Sequence, residues 1–361
     1  MKKILVLAAD YPNNQGGVTL MYIHTRNAYY VKHGVDVTVL NFKATEDYDY
    51  EGISVITLDS YCRGTETYDI LVAHAPNIRN HYRFLKKYGD RFPRFIFFFH
   101  GHEVLRITDT YSAPYFYMEK SKRLRDLAQD CYDAYKLAVW RKFYPKVVDK
   151  SDYIFVSGWM LEKFCKYTKL NKSVLKDKIH IIPNSVGKVF EENTYCKDTE
   201  KCYDFVTIRG NLDGSKYCVD VVNQLAENNP EFKFLVVGKG KYFDHVKKAD
   251  NLVWLDKTLK HAEIIDVLNS ARCALMPTRL DAQGVMMCEM ATFGIPVISS
   301  NIDICCEISS ILDNFIMIDH NDTTLDLHTL LPQIDAAHEA KVNQYFCAEN
   351  TMEKEVKLLV K

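Results

Sequence analysis

Short apolar runs rich in β-branched and aromatic residues alternate with helically patterned segments along most of this chain. Predicted strands are residues 4–8, 36–40, 54–58, 69–73, 95–100, 153–157 and 178–182, and then 204–208, 232–237, 252–255, 273–276 and 295–299. Strands that are apolar on both faces are typical of parallel sheets covered by helices on each side. The alternation therefore predicts an α/β fold built from doubly wound sheets.

The alternation stops at residues 183–203, a polar segment without periodicity, and then resumes. Such a segment is typical of a linker between domains, and a chain of 361 residues is long enough for two of them. We therefore expect a first doubly wound domain at 1–185 and a second at 186–361, facing each other across a cleft. A C-terminal helix at about 342–361 is a candidate to pack back on the first domain. Ligands of such sheets bind beyond the carboxyl ends of the strands.

Charge and cysteine usage narrow the class of protein. The formal net charge of −1 creates no global field that would favour nucleic acid. The 11 cysteines are scattered without a CxxC pair, which is typical of reduced thiols in a reducing compartment. The apolar run after the first two lysines is too short for a signal peptide, and no run reaches the length of a membrane span. These features predict a cytoplasmic protein.

The segment 115–150 differs from the rest because basic residues alternate with many aromatic ones. One interpretation is a long surface helix with a solvated basic face. The other is an amphipathic element that rests on an anionic membrane surface and so holds the protein at the inner face of the membrane. The acidic residues that interrupt the segment leave both interpretations open.

Candidate phosphate-binding residues follow predicted strands in both halves. Gly16 and Gly17 close the first turn before a helix, where backbone N–H groups and the helix N-terminus favour an anion. In the second half, Arg209 ends a strand and Lys216 begins a helix, so that two cations converge where a diphosphate would sit. Gly238 follows the next strand in the turn VVGKG.

Two carboxylates mark the loop and helix after the strand at 273–276. Asp281 lies in the loop, and Glu289 is the sole charged residue in the apolar stretch 284–301. An ionised carboxylate in an apolar helix is costly unless a partner pairs with it, and hydroxyl donors of a ligand would serve. The free N–H groups of Gly284, Val285 and Met286 add an anion site at the start of this helix. Gln283 immediately precedes them.

Taken in order, these motifs resemble those of the retaining glycosyltransferases of the GT-B fold, in particular glycosyltransferase family 4. The residues that carry the resemblance are the Gly16–Gly17 loop, the IPNSV hinge with Pro183 and Asn184, the Arg209 and Lys216 pair, the VVGKG turn, and Asp281 with Glu289 ahead of GIPVISS. The resemblance covers most of the chain. The chain departs from the family in having Asp281 where Glu is usual, and Arg209 stands one or two positions early.

The resemblance implies a role for each matching residue. Glu289 would accept hydrogen bonds from the nucleotide ribose, and Asp281 would contact hydroxyls of the donor sugar. Arg209 and Lys216 would neutralise the diphosphate leaving group, assisted by the Gly17 N–H. The donor site would also include Gly16, Gly238, Gln283, Gly284, Val285 and Met286, and His100 at the end of a first-domain strand would line it. His24 and His74 are further candidates, and His102 with Glu103 is either an acid–base pair or a structural one.

The implied activity is transfer of a hexose from a nucleotide-diphosphate sugar, with a UDP-sugar favoured, to a glycan or lipid-linked acceptor in surface polysaccharide synthesis. No cofactor and no metal is expected, because the two cations would stabilise the departing diphosphate. The DYD sequence at 47–49 falls in a predicted polar loop far from the other motifs. Two alternatives remain: a sugar-nucleotide epimerase of the same fold, and a non-catalytic protein that binds a sugar nucleotide or a partner enzyme.

Overall fold

The computed structural model describes residues 2–17, 19–118 and 122–361, without the side chains of Lys122 and Arg123. The strands are β1 (Lys3–Ala8), β2 (Asp36–Asn41), β3 (Tyr48–Tyr50), β4 (Ile53–Ile56), β5 (Ile70–His74), β6 (Arg94–Phe99), β7 (Ser151–Phe155), β8 (Ile179–Ile181), β9 (Tyr203–Ile208), β10 (Phe234–Val237), β11 (Leu252–Leu255), β12 (Ala271–Leu275), β13 (Val297–Ser300) and β14 (Phe315–Ile318).

Helices separate most of these strands. They are α1 (Met21–Lys32), α2 (Leu58–Arg63), α3 (His81–Tyr88), α4 (Ile107–Thr110), α5 (Lys122–Val147), α6 (Gly158–Thr168), α7 (Lys172–Leu175), α8 (Lys188–Glu192), α9 (Val219–Asn228), α10 (Tyr242–His245), α11 (His261–Asn269), α12 (Val285–Phe293), α13 (Asp303–Ser309), α14 (Leu331–His338) and α15 (Ala348–Val360). Short 3₁₀ turns occur between them, including Ser215–Tyr217 ahead of α9.

The chain divides into two compact units, each with its own sheet. The first contains Met1–Arg106, Asp130–Pro183 and Thr351–Lys361, and the second contains Ile107–Gln129 and Asn184–Asn350. A single boundary at 185/186 does not describe this division, because an internal segment belongs to the second unit and the C-terminal segment to the first.

Both sheets are predominantly parallel. The first has the strand order β3-β4-β2-β1-β5-β6-β7-β8, and the second has the order β11-β10-β9-β12-β13-β14. Most strands within the two sheets are buried on both faces, as in β6, where five of six residues are buried, whereas the edge strands β3, β8 and β11 are partly exposed. This is the mixed α/β, doubly wound architecture that the apolar runs predict. The exception to parallel pairing is the β3–β4 hairpin, in which Tyr48 pairs with Val55.

The hairpin corrects the expectation of a polar loop at 47–49. Residues 48 and 49 lie in β3, and the Asp47 carboxylate accepts a hydrogen bond from the Thr57 N–H at 2.7 Å. In the second unit, the helix that was predicted to begin at Lys216 begins later, at Val219, because Cys218 has a positive φ of 54° that interrupts the preceding 3₁₀ turn. The predicted linker 183–203 contains the short helix α8.

Helix α15 completes the core of the first unit. Its Val356, Leu358 and Leu359 pack with the apolar side chains of β1, β2 and α1. The Glu355 carboxylate accepts a hydrogen bond from Arg26 Nε at 3.1 Å and another from the Tyr30 hydroxyl. Because both charged side chains are at most 2% exposed, loss of either one would leave an uncompensated buried charge.

Helix α5 has an unusual distribution of polarity. Lys136, one of the predicted solvated basic residues, is buried instead and donates to the Asp133 carboxylate at 2.7 Å and to two backbone carbonyls. The exposed side of the helix carries Leu127, Tyr132 and Tyr135. Over the described ranges of the chain, no helix combines the length and apolarity that a membrane crossing requires.

Candidate functional site

The loops that follow β9 and β12 meet at the carboxyl edge of the second sheet, because these two strands are parallel neighbours. They are tied together through the Lys216 carbonyl, which accepts hydrogen bonds from the Arg279 N–H and the Thr278 hydroxyl, both at 2.9 Å. The Arg279 guanidinium in turn pairs with Asp220 at 2.7 Å. These contacts fix the backbone on which Arg209, Lys216 and Asp281 stand.

Arg209 is a buried cation with an unused donor. Arg209 is 6% exposed, and its Nη2 donates a hydrogen bond to the Pro277 carbonyl at 2.7 Å. Its Nε has no hydrogen-bond partner among the described residues. Burial lowers the pKa of Arg209, and the nearby Asp281 carboxylate opposes that shift. A buried guanidinium with an unsatisfied N–H is suited to bind an anion.

Lys216 supplies a second cation on the same edge. Its ammonium lies 4.7 Å from the centre of the Tyr217 ring and 5.9 Å from that of Tyr111. No carboxylate pairs with Lys216 in the described part of the chain, whereas the neighbouring Arg279 is fully engaged with Asp220. Cation–π contacts position the ammonium without neutralising its charge.

The loop before α12 is shaped by Asp281 and Gly284. Asp281 Oδ1 accepts hydrogen bonds from the N–H groups of Ala282 at 2.7 Å and Gln283 at 3.3 Å. Gly284 adopts a left-handed conformation with φ 71°, and a Cβ there would lie 2.1 Å from Met287 Cε. The positive φ favours glycine at this turn, and the first N–H groups of α12 have no acceptor within the helix.

Glu289 lies one turn inside α12 and is 7% exposed. Its Oε1 accepts a hydrogen bond from the Gly187 N–H at 3.0 Å, and no described residue donates to Oε2. Burial raises the pKa of Glu289 from 4.5 to about 7, because one N–H bond only partly offsets the loss of hydration. Glu289 thus has a single hydrogen-bond donor, the Gly187 N–H, among the described residues.

Gln283 is engaged with the segment that precedes α8. Its Oε1 accepts from both the backbone N–H and the side-chain amide of Asn184, each at 2.7 Å, and its Nε2 donates to the Asn184 carbonyl at 2.9 Å. These bonds occupy the Gln283 amide, so the side chain positions the loop in this structure. Direct contact of Gln283 with a donor stays a prediction.

Gly238 allows the turn after β10 to approach the end of β9 closely. Its φ is 151°, and a Cβ at this position would lie 2.1 Å from the Arg209 carbonyl oxygen. Gly240 makes a similar close approach to Leu212. The turn VVGKG therefore supports the backbone of Arg209.

In the first unit, Gly16 and Gly17 form a turn after β1. Gly16 has φ 90°, and a Cβ on Gly17 would lie 2.7 Å from Asn13 Nδ2. The Gly17 N–H donates to Asn13 Oδ1 at 3.1 Å. That bond would have to open before the Gly17 N–H could reach a phosphate.

His100 follows β6 at the carboxyl edge of the first sheet. Its Nε2 lies 3.2 Å from Nδ1 of His74, at the end of the neighbouring strand, and its ring packs 4.8 Å from that of Tyr22. Burial lowers the pKa of His74 well below its ordinary value, and the His100 charge adds to that shift. The Glu103 carboxylate accepts hydrogen bonds from the backbone N–H groups of His100 and Gly101, both at 2.6 Å, and so holds the turn after β6.

The sequence-predicted residues thus fall into two sets. Arg209, Lys216, Asp281 and the start of α12 lie on one edge of the second sheet, whereas the glycine loop and His100 lie on the carboxyl edge of the first. The contacts of Thr278, Arg279 and Asp220 with the Lys216 loop were not predicted. A signal for them existed, since PTRLDAQG places a hydroxyl and a cation directly after a strand.

A cluster of possible metal ligands lies elsewhere in the second unit. Glu231, Asp326 and His328 are exposed, and their potential ligand atoms lie within 4.8 Å of one another. Within the described ranges, this is the group of side chains whose spacing would allow them to hold a metal ion. Glu231 precedes β10, whereas the residues discussed above follow the strands of this sheet. The cluster is therefore at the opposite edge, and the prediction that the activity needs no metal stays a prediction.

Comparison with known proteins addresses the second unit directly. The family described as Glycosyl transferases group 1 matches residues 205–328. The phosphatidylinositol N-acetylglucosaminyltransferase gpi3 subunit of Schizosaccharomyces pombe is 23% identical over 225 residues, which are 52% of this chain and 48% of that protein. The chain therefore spans about half the length of this curated relative.

Solved structures match over nearly the whole chain. Sucrose-phosphate synthase from Thermosynechococcus elongatus superimposes with a TM-score of 0.68 at 12% identity, covering 99% of this chain and 98% of the other. The glycosyltransferase WaaG, involved in lipopolysaccharide biosynthesis, gives 0.63 at 13% identity, with 99% of both chains covered. A glycosyltransferase from Rickettsia africae gives 0.66 at 14% identity, covering 99% and 97%. At these identities the likeness shows the fold, which is the GT-B fold of two Rossmann-like domains, and residues 205–328 are similar to the group 1 glycosyl transferases.

Proposed function

We propose that this protein is a retaining glycosyltransferase that transfers a hexose from a nucleotide-diphosphate sugar, with UDP-sugars favoured, and that it requires no metal. The observation that carries the proposal is the pair of cations at the carboxyl edge of the second sheet. Arg209 is buried with an unsatisfied Nε, and Lys216 has no carboxylate partner among the described residues. A buried guanidinium with an unsatisfied N–H and a lysine without a carboxylate partner, on loops at the same sheet edge, are suited to bind a diphosphate.

The diphosphate is the leaving group, and the two cations stabilise it where negative charge develops. Arg209 is held by the Pro277 carbonyl and by packing on the Tyr217 ring, 5.2 Å from its centre. A guanidinium fixed before the reaction and shielded from water acts more strongly on that charge than a solvated one. Lys216, positioned over two tyrosine rings, adds charge at the second phosphate.

Glu289 is proposed to bind the nucleotide ribose. The buried carboxyl group has one protein donor, the Gly187 N–H, and two vicinal hydroxyls of a ribose would supply further ones. Binding would then favour the ionised carboxylate. Asp281, whose Oδ1 is engaged by two backbone N–H groups, would offer its other oxygen to a hydroxyl of the sugar.

The reaction breaks the bond between the anomeric carbon and the diphosphate oxygen. The acceptor hydroxyl oxygen forms the new bond on the same face, and its proton passes to the departing phosphate oxygen. His100 is proposed to line the donor sugar, with His74 fixing its ring. This scheme explains why no pair of nucleophile and base is needed on the protein.

The acceptor is proposed to be a glycan or a lipid-linked saccharide of a surface polysaccharide, and peripheral contact with an anionic membrane is proposed for 115–150. The names of the gpi3 subunit and of WaaG concern glycolipids in those proteins. In this chain, α5 exposes Leu127 and two tyrosines beside Arg141 and Lys142. Such a helix face suits the interface of an anionic bilayer.

The test is donor binding and turnover with EDTA present. We expect UDP, or another nucleoside diphosphate of the panel UDP, GDP and ADP, to bind the purified chain, and the matching nucleotide sugar to be hydrolysed or transferred with retention at the anomeric carbon. Lys216→Ala should weaken diphosphate binding at least tenfold, whereas Lys239→Ala, a matched exposed lysine on the next loop, should not. Failure of every nucleotide to bind would refute the proposal.

Two alternatives give different results in the same assay. An epimerase would release free nucleotide and a new sugar without an acceptor. A non-catalytic binder would bind nucleotide with Glu289 and Asp281 in place but would show no turnover with any donor, and Asp281 in place of the usual Glu is the feature that keeps this alternative open.

A further inference from the structure

A polar cavity of about 390 Å³ opens at the carboxyl ends of β1 and β2 in the first unit. Its described lining includes Asp10, Gln15, Thr19, Lys43, Thr45 and Glu46. This volume is within the range of small-ligand pockets. The cavity includes Gly17 but none of the other residues assigned to the donor, so it is a separate candidate binding site.

The walls of the cavity are fixed by hydrogen bonds within the protein. The Tyr48 hydroxyl donates to the Pro12 carbonyl at 2.9 Å and accepts from Asn41 Nδ2 at 3.2 Å. Asn14 Nδ2 donates to the Asp49 carbonyl at 2.9 Å. Asn13 Oδ1 accepts the Gln15 N–H at 3.0 Å as well as that of Gly17. A cavity held open in this way needs little ordering when a ligand binds.

A chain of side chains, buried at Tyr11 and His24 and exposed at Glu51, supports the wall from behind. The Tyr11 hydroxyl is 2.9 Å from His24 Nδ1, and His24 Nε2 is 2.9 Å from the Glu51 carboxylate. Burial raises the pKa of Tyr11 far above its ordinary value. Tyr11 therefore acts as a hydrogen-bonding strut between β1 and the β3–β4 hairpin, and it is not an ionisable nucleophile.

Several lining groups have no partner in the described ranges of the protein. They are the Gln15 amide, the hydroxyls of Thr19 and Thr45, and the Glu46 carboxylate. Amides and hydroxyls both donate and accept hydrogen bonds, which is what the hydroxyl groups of a saccharide require. Exposed groups of this kind around a fixed cavity indicate a polyhydroxylated ligand.

The charge of the cavity decides which saccharides fit. Lys43 is the basic residue of the described lining, and its ammonium pairs with the Asp10 carboxylate at 2.9 Å. Glu46 adds a carboxylate without a counter-ion. A phosphate or carboxylate group entering here would meet net negative charge and no available cation, in contrast to the edge that carries Arg209 and Lys216.

We propose that this cavity binds the acceptor of the proposed transferase, and that it selects a neutral polyhydroxylated saccharide over a phosphorylated or acidic one. The identification of the ligand as the acceptor rests on the proposed function, whereas the preference for a neutral saccharide rests on the residues of the cavity alone. Gln15, Thr19 and Thr45 bind the saccharide hydroxyls, and Glu46 with the Asp10–Lys43 pair excludes anions.

The experiment measures saccharide binding to the full chain without any donor, by saturation-transfer NMR. The probes are methyl glycosides of glucose, galactose, mannose and N-acetylglucosamine, each compared with the corresponding hexose 6-phosphate at equal concentration. We expect at least one methyl glycoside to bind and its 6-phosphate counterpart to bind at least tenfold more weakly. Gln15→Ala and Thr45→Val should each weaken glycoside binding severalfold.

Charge reversal provides a gain-of-function arm that does not depend on folding losses. Glu46→Lys should raise the binding of the hexose 6-phosphate at least tenfold, while the matched Glu46→Gln should raise it much less. The proposal is overturned if the phosphorylated probes bind the wild-type chain better, if no methyl glycoside binds, or if Gln15→Ala and Thr45→Val leave glycoside binding unchanged. Nucleotide binding is measured on the same samples. If the protein binds a methyl glycoside but no nucleotide, the proposed function is refuted, whereas the saccharide preference of the cavity is not.

Discussion

Replacing Glu289 with Gln should make the unliganded protein more stable and less able to bind its donor. Glu289 has a pKa raised from 4.5 to about 7. A shift of about 2.5 units corresponds to about 3 kcal/mol that the folded protein loses when the carboxyl group is forced to ionise. The amide of Gln has nearly the same shape and can still accept the Gly187 N–H bond, but it carries no charge.

The sign of the pH dependence follows from the raised pKa. The unfolded chain releases the Glu289 proton near pH 4.5 and the folded chain near pH 7, so wild-type stability falls as pH rises through this interval. The variant lacks this loss. We expect the two proteins to be about equally stable near pH 4.5 and the variant to be more stable by about 3 kcal/mol at about pH 8.

Urea unfolding at several pH values, followed by fluorescence, measures the difference. Donor binding gives the opposite readout: wild-type affinity for UDP should rise about tenfold between about pH 6 and 8 as Glu289 ionises, beyond any change that the variant shows from the phosphate itself. A stability difference that does not change with pH would show that Glu289 is not the desolvated carboxyl group described above.

Three further predictions concern stability. Gly238→Ala should cost several kcal/mol in urea unfolding, because its Cβ would lie 2.1 Å from the Arg209 carbonyl, whereas Gly34→Ala, with open space around it, should cost about 1 kcal/mol. Burial lowers the pKa of His81 to about 4, so wild-type stability should fall by up to about 3 kcal/mol as pH drops from about 6.5 to 4, and His81→Gln should flatten that slope while His33→Gln does not. Glu355→Ala should cost about 3–5 kcal/mol in urea by leaving Arg26 buried without its partner, and Glu353→Ala on the same helix should be nearly neutral.

The strands were predictable because their apolar runs are buried on both faces, which few other structures require. The strand at 252–255 agrees with the structure at both ends, and the helix at 284–293 differs by one residue. The strand β14, Phe315–Ile318, was missed because four apolar residues are too few for periodicity to distinguish a strand from part of a buried helix. The β3–β4 hairpin was missed because its turn, Glu51–Gly52, joins two strands too short to show alternation.

The site divides in the same way. A lone carboxylate in an apolar helix is visible in sequence, and Glu289 is indeed desolvated. The hydrogen-bond partner of a side chain cannot be read from the sequence when the two residues lie in segments far apart in the chain. Gln283 is held by Asn184, almost one hundred positions away, and Lys136 is buried beside Asp133 although the segment 115–150 as a whole is rich in basic residues.

The position of α15 in the chain has a consequence for the order of folding during synthesis. The buried side chain of Arg26 belongs to a helix made early, yet its counter-ion Glu355 is made after the whole of the second unit. Until the ribosome has released that helix, the first sheet has an uncompensated guanidinium and an uncovered apolar face. The N-terminal half of this protein is therefore expected to remain a client of chaperones throughout translation and to reach its native state only after the C-terminal half has been made.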